Sequence, residues 1–183
     1  MSNVINLKNQ DYNFESTDII LFDTNIWIYL FYPLGDFKQK VSAKYSEIYK
    51  KILMKKCKII VPTLVISEFF NVCLKFEFSR YQDLDIQKYK SFKKDFRGTE
   101  EYKIVVQKLI ETIKNSILKN STLVNDNLET LKLDNILTTD EEFDFNDKVL
   151  IEICKKYNAK ILTHDKDFMK YFTDFDLDVL IFC

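Results

Sequence analysis

Short, almost wholly apolar runs alternate with longer stretches of helical spacing along this chain of 183 residues. Four acidic residues lie at the ends of such runs or early in the helix beside one. They are Asp23, Glu68, Asp147 and Asp165. Short apolar strands alternating with helices are typical of a parallel sheet covered on both faces. We therefore expect an α/β fold, a three-layer α/β/α arrangement around a mainly parallel sheet of four to five strands.

The order of strands and helices predicts that the four acids lie together. The carboxyl ends of parallel strands meet at one edge of the sheet, and open α/β sheets bind ligands at that edge. Clustered carboxylates repel one another unless a divalent cation neutralises them, and oxygen ligands suit Mg²⁺ or Mn²⁺. Such an ion orients a water molecule, lowers its pKa and offsets charge on a phosphodiester. The pattern thus predicts a metal site.

Each acid also has an ordinary structural explanation, and the four differ in how well it fits. Asp23 suits a helix N-cap as well as it suits a functional carboxylate. Glu68 is harder to explain in this way, because its neighbours on both sides are apolar and a glutamate is rarely buried without a partner.

The remaining acids are better explained by structure when each is taken alone. Asp144 fits an N-cap, and Asp147 then lies in the first helical turn, where the helix dipole favours an acid. Asp165 and Asp167 flank a lysine in a strand-to-helix loop, where aspartate is common. His164, beside them, is interpreted as a solvated loop residue.

Composition excludes several other kinds of site. Two glycines are too few for a Walker or dinucleotide-binding loop. One histidine and four cysteines without a CxxC pair make zinc improbable, and no Ser-His or Cys-His nucleophile pair is evident. Buried free thiols favour a reducing, cytoplasmic location. The most apolar stretch, residues 59–70, contains Pro62 and Glu68, so we expect no membrane span.

The chain divides into a polar N-terminal extension, residues 1–17, and one domain, residues 18–183. Residues 81–134 are charged, with apolar side chains at helical spacing, and we interpret them as a helical insert with a break near Gly98. Residues 135–137 are predicted to form a short strand.

Four motifs, in order, resemble the PIN-domain ribonucleases, including the VapC-type toxins. Each is short and weak by itself, but together they extend from about residue 18 to the C-terminus. The motifs are Leu21-Phe22-Asp23-Thr24-Asn25, Pro62-Thr63-Leu64-Val65-Ile66-Ser67-Glu68-Phe69, Asn146-Asp147-Lys148-Val149-Leu150-Ile151 and Ala159-Lys160-Ile161-Leu162-Thr163-His164-Asp165-Lys166-Asp167-Phe168.

The resemblance implies a metal-dependent endoribonuclease that cuts RNA at an acidic Mg²⁺ or Mn²⁺ site formed by the four acids. Asn25 and Thr163 would hold the carboxylates or the water, and Asp144 and Asp167 are candidate additional ligands. It also raises an antitoxin and a homodimer as partners, with the insert as a surface for RNA, antitoxin or dimer contacts. Two alternatives stay open: a non-catalytic PIN-like module that binds RNA or protein, and a HAD-like phosphatase with Asp23 as nucleophile. In the latter family a second aspartate is expected at the position of Asn25.

Overall fold

A single parallel sheet of six strands organises the computed structural model, which describes residues 4–8, 11–32, 39–126, 128–138, 143–170 and 178–182. The strand order is β1-β6-β5-β2-β3-β4, and every neighbouring pair is parallel. The strands are β1 (Val4–Asn6), β2 (Ile19–Phe22), β3 (Lys58–Pro62), β4 (Thr122–Val124), β5 (Lys160–Thr163) and β6 (Val179–Ile181).

Helices connect the strands and cover both faces of the sheet. In β2 the consecutive residues Ile20, Leu21 and Phe22 are all fully buried. Successive strand residues point to opposite faces, so both faces are covered and the predicted three-layer α/β/α fold is confirmed. The helices are α1 (Thr24–Phe31), α2 (Gln39–Met54), α3 (Thr63–Leu84), α4 (Glu100–Thr112), α5 (Leu133–Ile136), α6 (Phe145–Tyr157) and α7 (Asp167–Lys170).

The predicted strand count of four to five is too low, because both edge strands are short. Strand β1 lies within the polar stretch 1–17 and pairs with β6, so residues 4–6 belong to the sheet. Strand β4 lies within residues 81–134, which we interpreted as a helical insert, and its first two residues are exposed. A three-residue edge strand with exposed side chains leaves no alternating apolar pattern to detect.

The short strand predicted at residues 135–137 is wrong. Leu133–Ile136 instead forms the single-turn helix α5, in which Ile136 is buried, and Leu137 directly after it is exposed. A continuous apolar run as short as Ile136 and Leu137 fits a helical turn and a buried strand equally well.

Within the predicted insert, residues 81–134, aromatic side chains pack around the ring of Phe96, which is fully buried. The centroids of Tyr81, Tyr89 and Tyr102 lie 5.2, 5.9 and 5.7 Å from that of Phe96. The predicted break is confirmed: Gly98 has a φ of +92°, a conformation that favours glycine, and α4 begins two residues later. Before the break, a loop and a π-helical turn, Phe92–Phe96, follow α3.

No helix in the described ranges combines the length and the apolar character needed to cross a bilayer. Three cysteines, Cys57, Cys73 and Cys154, are free and buried.

Candidate active site

Asp23 lies at the carboxyl end of β2, where the strand register places it beside β5. Its backbone N–H donates to the carbonyl of Leu162 at 3.0 Å. Asp23 holds the N-cap position of α1, yet its side chain makes no capping hydrogen bond. The carboxylate, only 7% exposed, instead accepts from the Thr163 hydroxyl at 2.7 Å and from the Asn25 side-chain amide. Helix capping therefore does not account for this carboxylate.

Asn25 and Thr163 join the two strand ends through their side chains. Besides its bond to Asp23, the Asn25 amide lies 3.3 Å from the Thr163 hydroxyl, and Asn25 Oδ1 accepts from the backbone N–H of His164 at 3.0 Å. The Thr163 hydroxyl also accepts from the Asp165 backbone N–H at 3.0 Å. This network fixes the Asp23 carboxylate relative to the turn that carries Asp165.

Glu68 comes from a third element, the second turn of α3, and is half-buried. Its Oε2 accepts from the Thr24 hydroxyl at 2.9 Å, so the residue after Asp23 holds this side chain. Glu68 is close enough to Asp23 for its negative charge to raise the Asp23 pKa. The structure thus brings Glu68 to the same edge of the sheet.

Asp144 and Asp147 form a reciprocal capping box at the start of α6. The Asp147 N–H donates to Asp144 Oδ1 at 2.9 Å, and the Asp144 N–H lies 3.4 Å from Asp147 Oδ2. The predicted capping role of Asp144 is confirmed. Asp147 also lies near enough to Asp23 and Asp165 for their negative charges to raise its pKa.

Asp165 and Asp167 lie in the turn between β5 and α7. The Asp167 N–H donates to Asp165 Oδ1 at 2.9 Å, the kind of local bond that makes aspartate common in turns. Asp165 also adds negative charge near Asp23 and Asp147. Asp167 occupies the first position of α7.

The carboxylates at this edge are electrostatically coupled. Burial raises the pKa of Asp23 to about 6, an effect opposed by the Thr163 hydrogen bond and reinforced by Glu68 and Asp165. Burial, followed by the negative charges of Asp144, Asp23 and Asp165, raises the pKa of Asp147 to about 8. Carboxyl groups that disfavour one another's ionisation in this way gain from a nearby cation.

The donor chemistry of these side chains suits a hard divalent cation, although they are not arranged as a closed cage. Within the described residues, no three His, Cys, Asp or Glu side chains are grouped closely enough to hold a metal ion as they stand. Magnesium is usually held by one or two carboxylates together with water and substrate oxygens. The coupled carboxylates therefore fit a partly open Mg²⁺ or Mn²⁺ site better than a dedicated protein cage.

Two residues near the site have roles that the sequence did not reveal. The Tyr45 hydroxyl, on α2, lies 3.1 Å from the Thr163 carbonyl oxygen, 3.3 Å from that of Phe182 and 3.0 Å from His164 Nδ1. The interpretation of His164 as a solvated loop residue is wrong, since its ring packs edge-on against Tyr29 and Tyr45. Tyr45 sits in a helical apolar pattern, which predicts its burial but not the partners of its hydroxyl.

The buried thiol of Cys154, which lies near Asp23, is unsuited to nucleophilic catalysis. Burial, with a contribution from the charge of Asp23, raises the pKa of Cys154 well above its usual range. The reactive form of cysteine is the thiolate, which this environment suppresses.

Comparisons with known proteins identify the family. The family model described as "PIN domain" matches residues 20–171. No curated protein matches the sequence. Among solved structures, that of VapBC2 from Rickettsia felis bound to a DNA fragment from their promoter aligns at 15% identity with a TM-score of 0.49, covering 90% of this chain and 99% of the other. Since the family model spans well over half of the sequence, the chain belongs to the PIN domain family, whose members are generally nucleases.

Proposed function

We propose that this chain is a divalent-metal-dependent endoribonuclease. The observation that carries the proposal is the convergence of carboxylates on Asp23, at the carboxyl edge of the sheet, within the region that matches the PIN domain. Two of these acids, Asp23 and Asp147, have pKa values raised by burial and by neighbouring acids, as expected where ionisable groups serve a function.

In this proposal Asp23, Glu68, Asp147 and Asp165 hold Mg²⁺ or Mn²⁺. When bound, the ion would activate a water molecule and offset negative charge on the RNA phosphodiester. Asn25 and Thr163 act as positioning residues, because their side chains fix the orientation of the Asp23 carboxylate.

Asp144 and Asp167 are the candidate additional ligands. The Asp144 side chain is already engaged by the Asp147 N–H as a helix cap. That bond uses one lone pair and leaves others on the carboxylate.

Replacing Asp23 with asparagine is the direct test. Asp23→Asn keeps the side chain's shape but removes a buried negative charge, so cleavage of single-stranded RNA should fall roughly 100-fold or more. The melting temperature should be maintained, because the carboxylate ionises at a cost in the fold. The matched control is Asp83→Asn, at an exposed position of α3, which should cleave RNA like the wild type. Undiminished cleavage by Asp23→Asn, or full wild-type activity in EDTA, would contradict the proposal.

A non-catalytic binding module is the alternative function, and metal binding separates the two. The nuclease proposal requires Mn²⁺ to bind the wild-type protein in calorimetry and to bind more weakly after Asp23→Asn. Absence of Mn²⁺ binding to the wild type would favour a module that binds RNA or protein without cutting.

We further propose that the nuclease acts in the cytoplasm as the toxin of a toxin–antitoxin pair. Support comes from the resemblance of the motifs to the VapC-type toxins and from the buried free thiols Cys57, Cys73 and Cys154. Expression should arrest growth, and co-expression of a neighbouring open reading frame should relieve the arrest. An antitoxin and a second copy of the chain are the proposed protein partners, which size measurements of the purified complex would reveal.

A further inference from the structure

The loop between α3 and α4, residues 85–99, displays a concentrated positive charge that the proposed chemistry does not use. We call it the basic loop. Its cationic side chains, all exposed, include four that make no ion pair with any described residue: Lys90, Lys93, Lys94 and Arg97. A fifth, Lys88, pairs with Glu101 at 2.8 Å and is left out of the set.

The acids of the basic loop are occupied by its own backbone. Asp85 Oδ1 accepts from the N–H groups of Gln87 and Lys88 at 3.1 and 3.0 Å. Asp95 Oδ2 accepts from the N–H of Ser91 at 2.7 Å. These carboxylates stabilise the turn and leave the four cations to face solvent, although the whole chain has a net charge of −1.

Packed aromatic side chains support the backbone of the basic loop. Tyr89 and Phe96, which alternate with the cations in sequence, are 3% and 0% exposed. Phe92 packs against Phe78 and Phe96 with centroid distances of 5.4 and 5.9 Å. The backbone beneath the cations is therefore already ordered, which lowers the entropic cost of binding a ligand.

The ligand that suits this surface is the sugar-phosphate backbone of RNA. A single metal site contacts only the phosphate at the cleaved bond, whereas Lys and Arg side chains that neutralise further phosphates supply most of the affinity for a long nucleic acid. Helix α3 carries Glu68 near its start and leads into the basic loop at its end. At a rise of 1.5 Å per residue, Glu68 and the end of the helix are roughly 24 Å apart along the helix axis. Only RNA that extends well beyond the cleaved bond reaches both places.

We propose that the basic loop is an RNA-binding surface that holds the substrate backbone at a distance from the acidic site. The choice of RNA as the polyanion that binds this surface rests on the proposed ribonuclease function. Lys and Arg contacts to phosphates carry little sequence information, so this surface contributes affinity rather than sequence preference.

The test measures binding without cleavage, by fluorescence anisotropy of a labelled single-stranded RNA with the full chain in EDTA. The variant K90Q/K93Q/K94Q/R97Q should bind at least tenfold more weakly at 0.1 M salt. Its plot of log affinity against log salt should be shallower by about 0.7 for each phosphate that the variant no longer neutralises. The matched control, K40Q/K50Q/K55Q/K58Q, removes the same charge from exposed lysines of α2, of the turn after it and of the start of β3. It should keep the wild-type slope.

Equal slopes for the two variants, or no RNA binding by the wild type, would overturn the proposal. Basic-loop-dependent binding to phosphatidylserine vesicles without RNA binding would overturn it in favour of a membrane surface. The readout is independent of cleavage: loop-dependent RNA binding by a protein that cuts nothing in Mg²⁺ or Mn²⁺ would support this surface and contradict the nuclease.

Discussion

Asp147 performs two tasks whose electrostatic demands differ. As the N3 partner of the capping box it accepts from the Asp144 backbone N–H, and the positive end of the helix dipole favours its ionised form there. Burial, followed by the negative charges of Asp144, Asp23 and Asp165, disfavours the anion, and this influence prevails because the pKa of Asp147 rises to about 8. Asp147, which stabilises the first turn of α6, is therefore held in an environment that opposes its ionisation.

The free energy of unfolding should consequently decrease as pH rises when divalent cations are absent. Asp147, with a usual value of 3.8 and a folded value of about 8, keeps its proton in the fold but loses it in the unfolded chain between these pH values. Stability should fall between pH 5 and 8, by on the order of 2 kcal/mol after allowance for solvent screening. Urea denaturation in EDTA measures this decrease.

Two variants check the assignment to Asp147. Asp147→Asn should reduce the pH dependence over this interval, whereas Asp83→Asn, which removes an exposed acid, should preserve it. A pH profile unchanged by Asp147→Asn would show that the decrease has another origin.

At the residue level, the sequence was informative about charge and uninformative about hydroxyl partners. An acid among apolar residues is visible in the sequence, as for Asp23 at the end of β2 and Glu68 in α3. The bond from the Thr24 hydroxyl to Glu68 joins residues 44 positions apart, and no local pattern encodes it. The choice between a cap and a functional carboxylate at Asp23 likewise needed the geometry of Thr163.

Among the elements, helix α2 contributes Tyr45 to the proposed site, although the site itself lies at the ends of the strands. The Tyr45 ring is fully buried, stacks on Tyr29 with centroids 5.6 Å apart, and places its hydroxyl between the ends of β5 and β6. Since the Thr163 side chain holds Asp23, a group that fixes the Thr163 backbone also acts on the carboxylate. Tyr45 is thus a positioning residue of the proposed site.

Removing the Tyr45 hydroxyl should loosen the turn that carries Asp165. Tyr45→Phe should lower kcat several-fold with little change in KM, because the geometry of the acids changes and the RNA-binding surface does not. Stability should fall by about 1 kcal/mol, the usual net value of a hydrogen bond. Backbone hydrogen exchange at His164 and Asp165 should accelerate, which is measurable whether or not RNA is cut.

The chain supplies a matched control one helical turn away. Tyr49, also on α2, has a buried hydroxyl that interacts with Asn120 rather than with the ends of β5 and β6. Tyr49→Phe should leave kcat and the exchange of the β5 turn unchanged. Equal effects of the two substitutions would show that Tyr45 acts only through packing.

Element prediction succeeded where burial was deep and failed at the margins of the sheet. The central strands β2, β3 and β5 consist mostly of buried apolar residues, so their runs were recognisable. Strand β4 begins with two exposed residues, and its pairing with β3 is decided by the packing of the insert. Tertiary contacts, which a sequence window does not contain, determine such short elements.

For the whole molecule, different strands of the sheet contribute to the proposed site and to the stability of its edge. The proposed catalytic acids lie at or beside the ends of β2, β3 and β5, whereas β1 lies at one edge, beyond β6. Edge pairing adds hydrogen bonds, including Leu7 N–H to the Ile181 carbonyl at 2.7 Å, and covers apolar side chains without touching the acids.

Deleting residues 1–8 should therefore weaken the fold while leaving cleavage intact. The loss of the β1 ladder and of its half-buried apolar side chains should lower the free energy of unfolding by roughly 2–4 kcal/mol. Urea denaturation measures the change, and deletion of residues 1–3 alone, which spares β1, is the control. An unchanged urea midpoint would show that β1 adds nothing to stability. Deletion of residues 1–17 then tests the predicted domain boundary.

The pairing of β1 with β6 also has a consequence for how the molecule is made. Val4 pairs with Val179, so nearly the whole chain separates the two partners. During synthesis, β1 leaves the ribosome before β6, and β1 stays without this partner until β6 emerges. Contacts between such distant residues form slowly, and an unpaired strand edge is prone to associate with other chains. The pairing of β1 with β6 therefore forms only after β6 has been translated, and newly made chains are most vulnerable to aggregation before that moment.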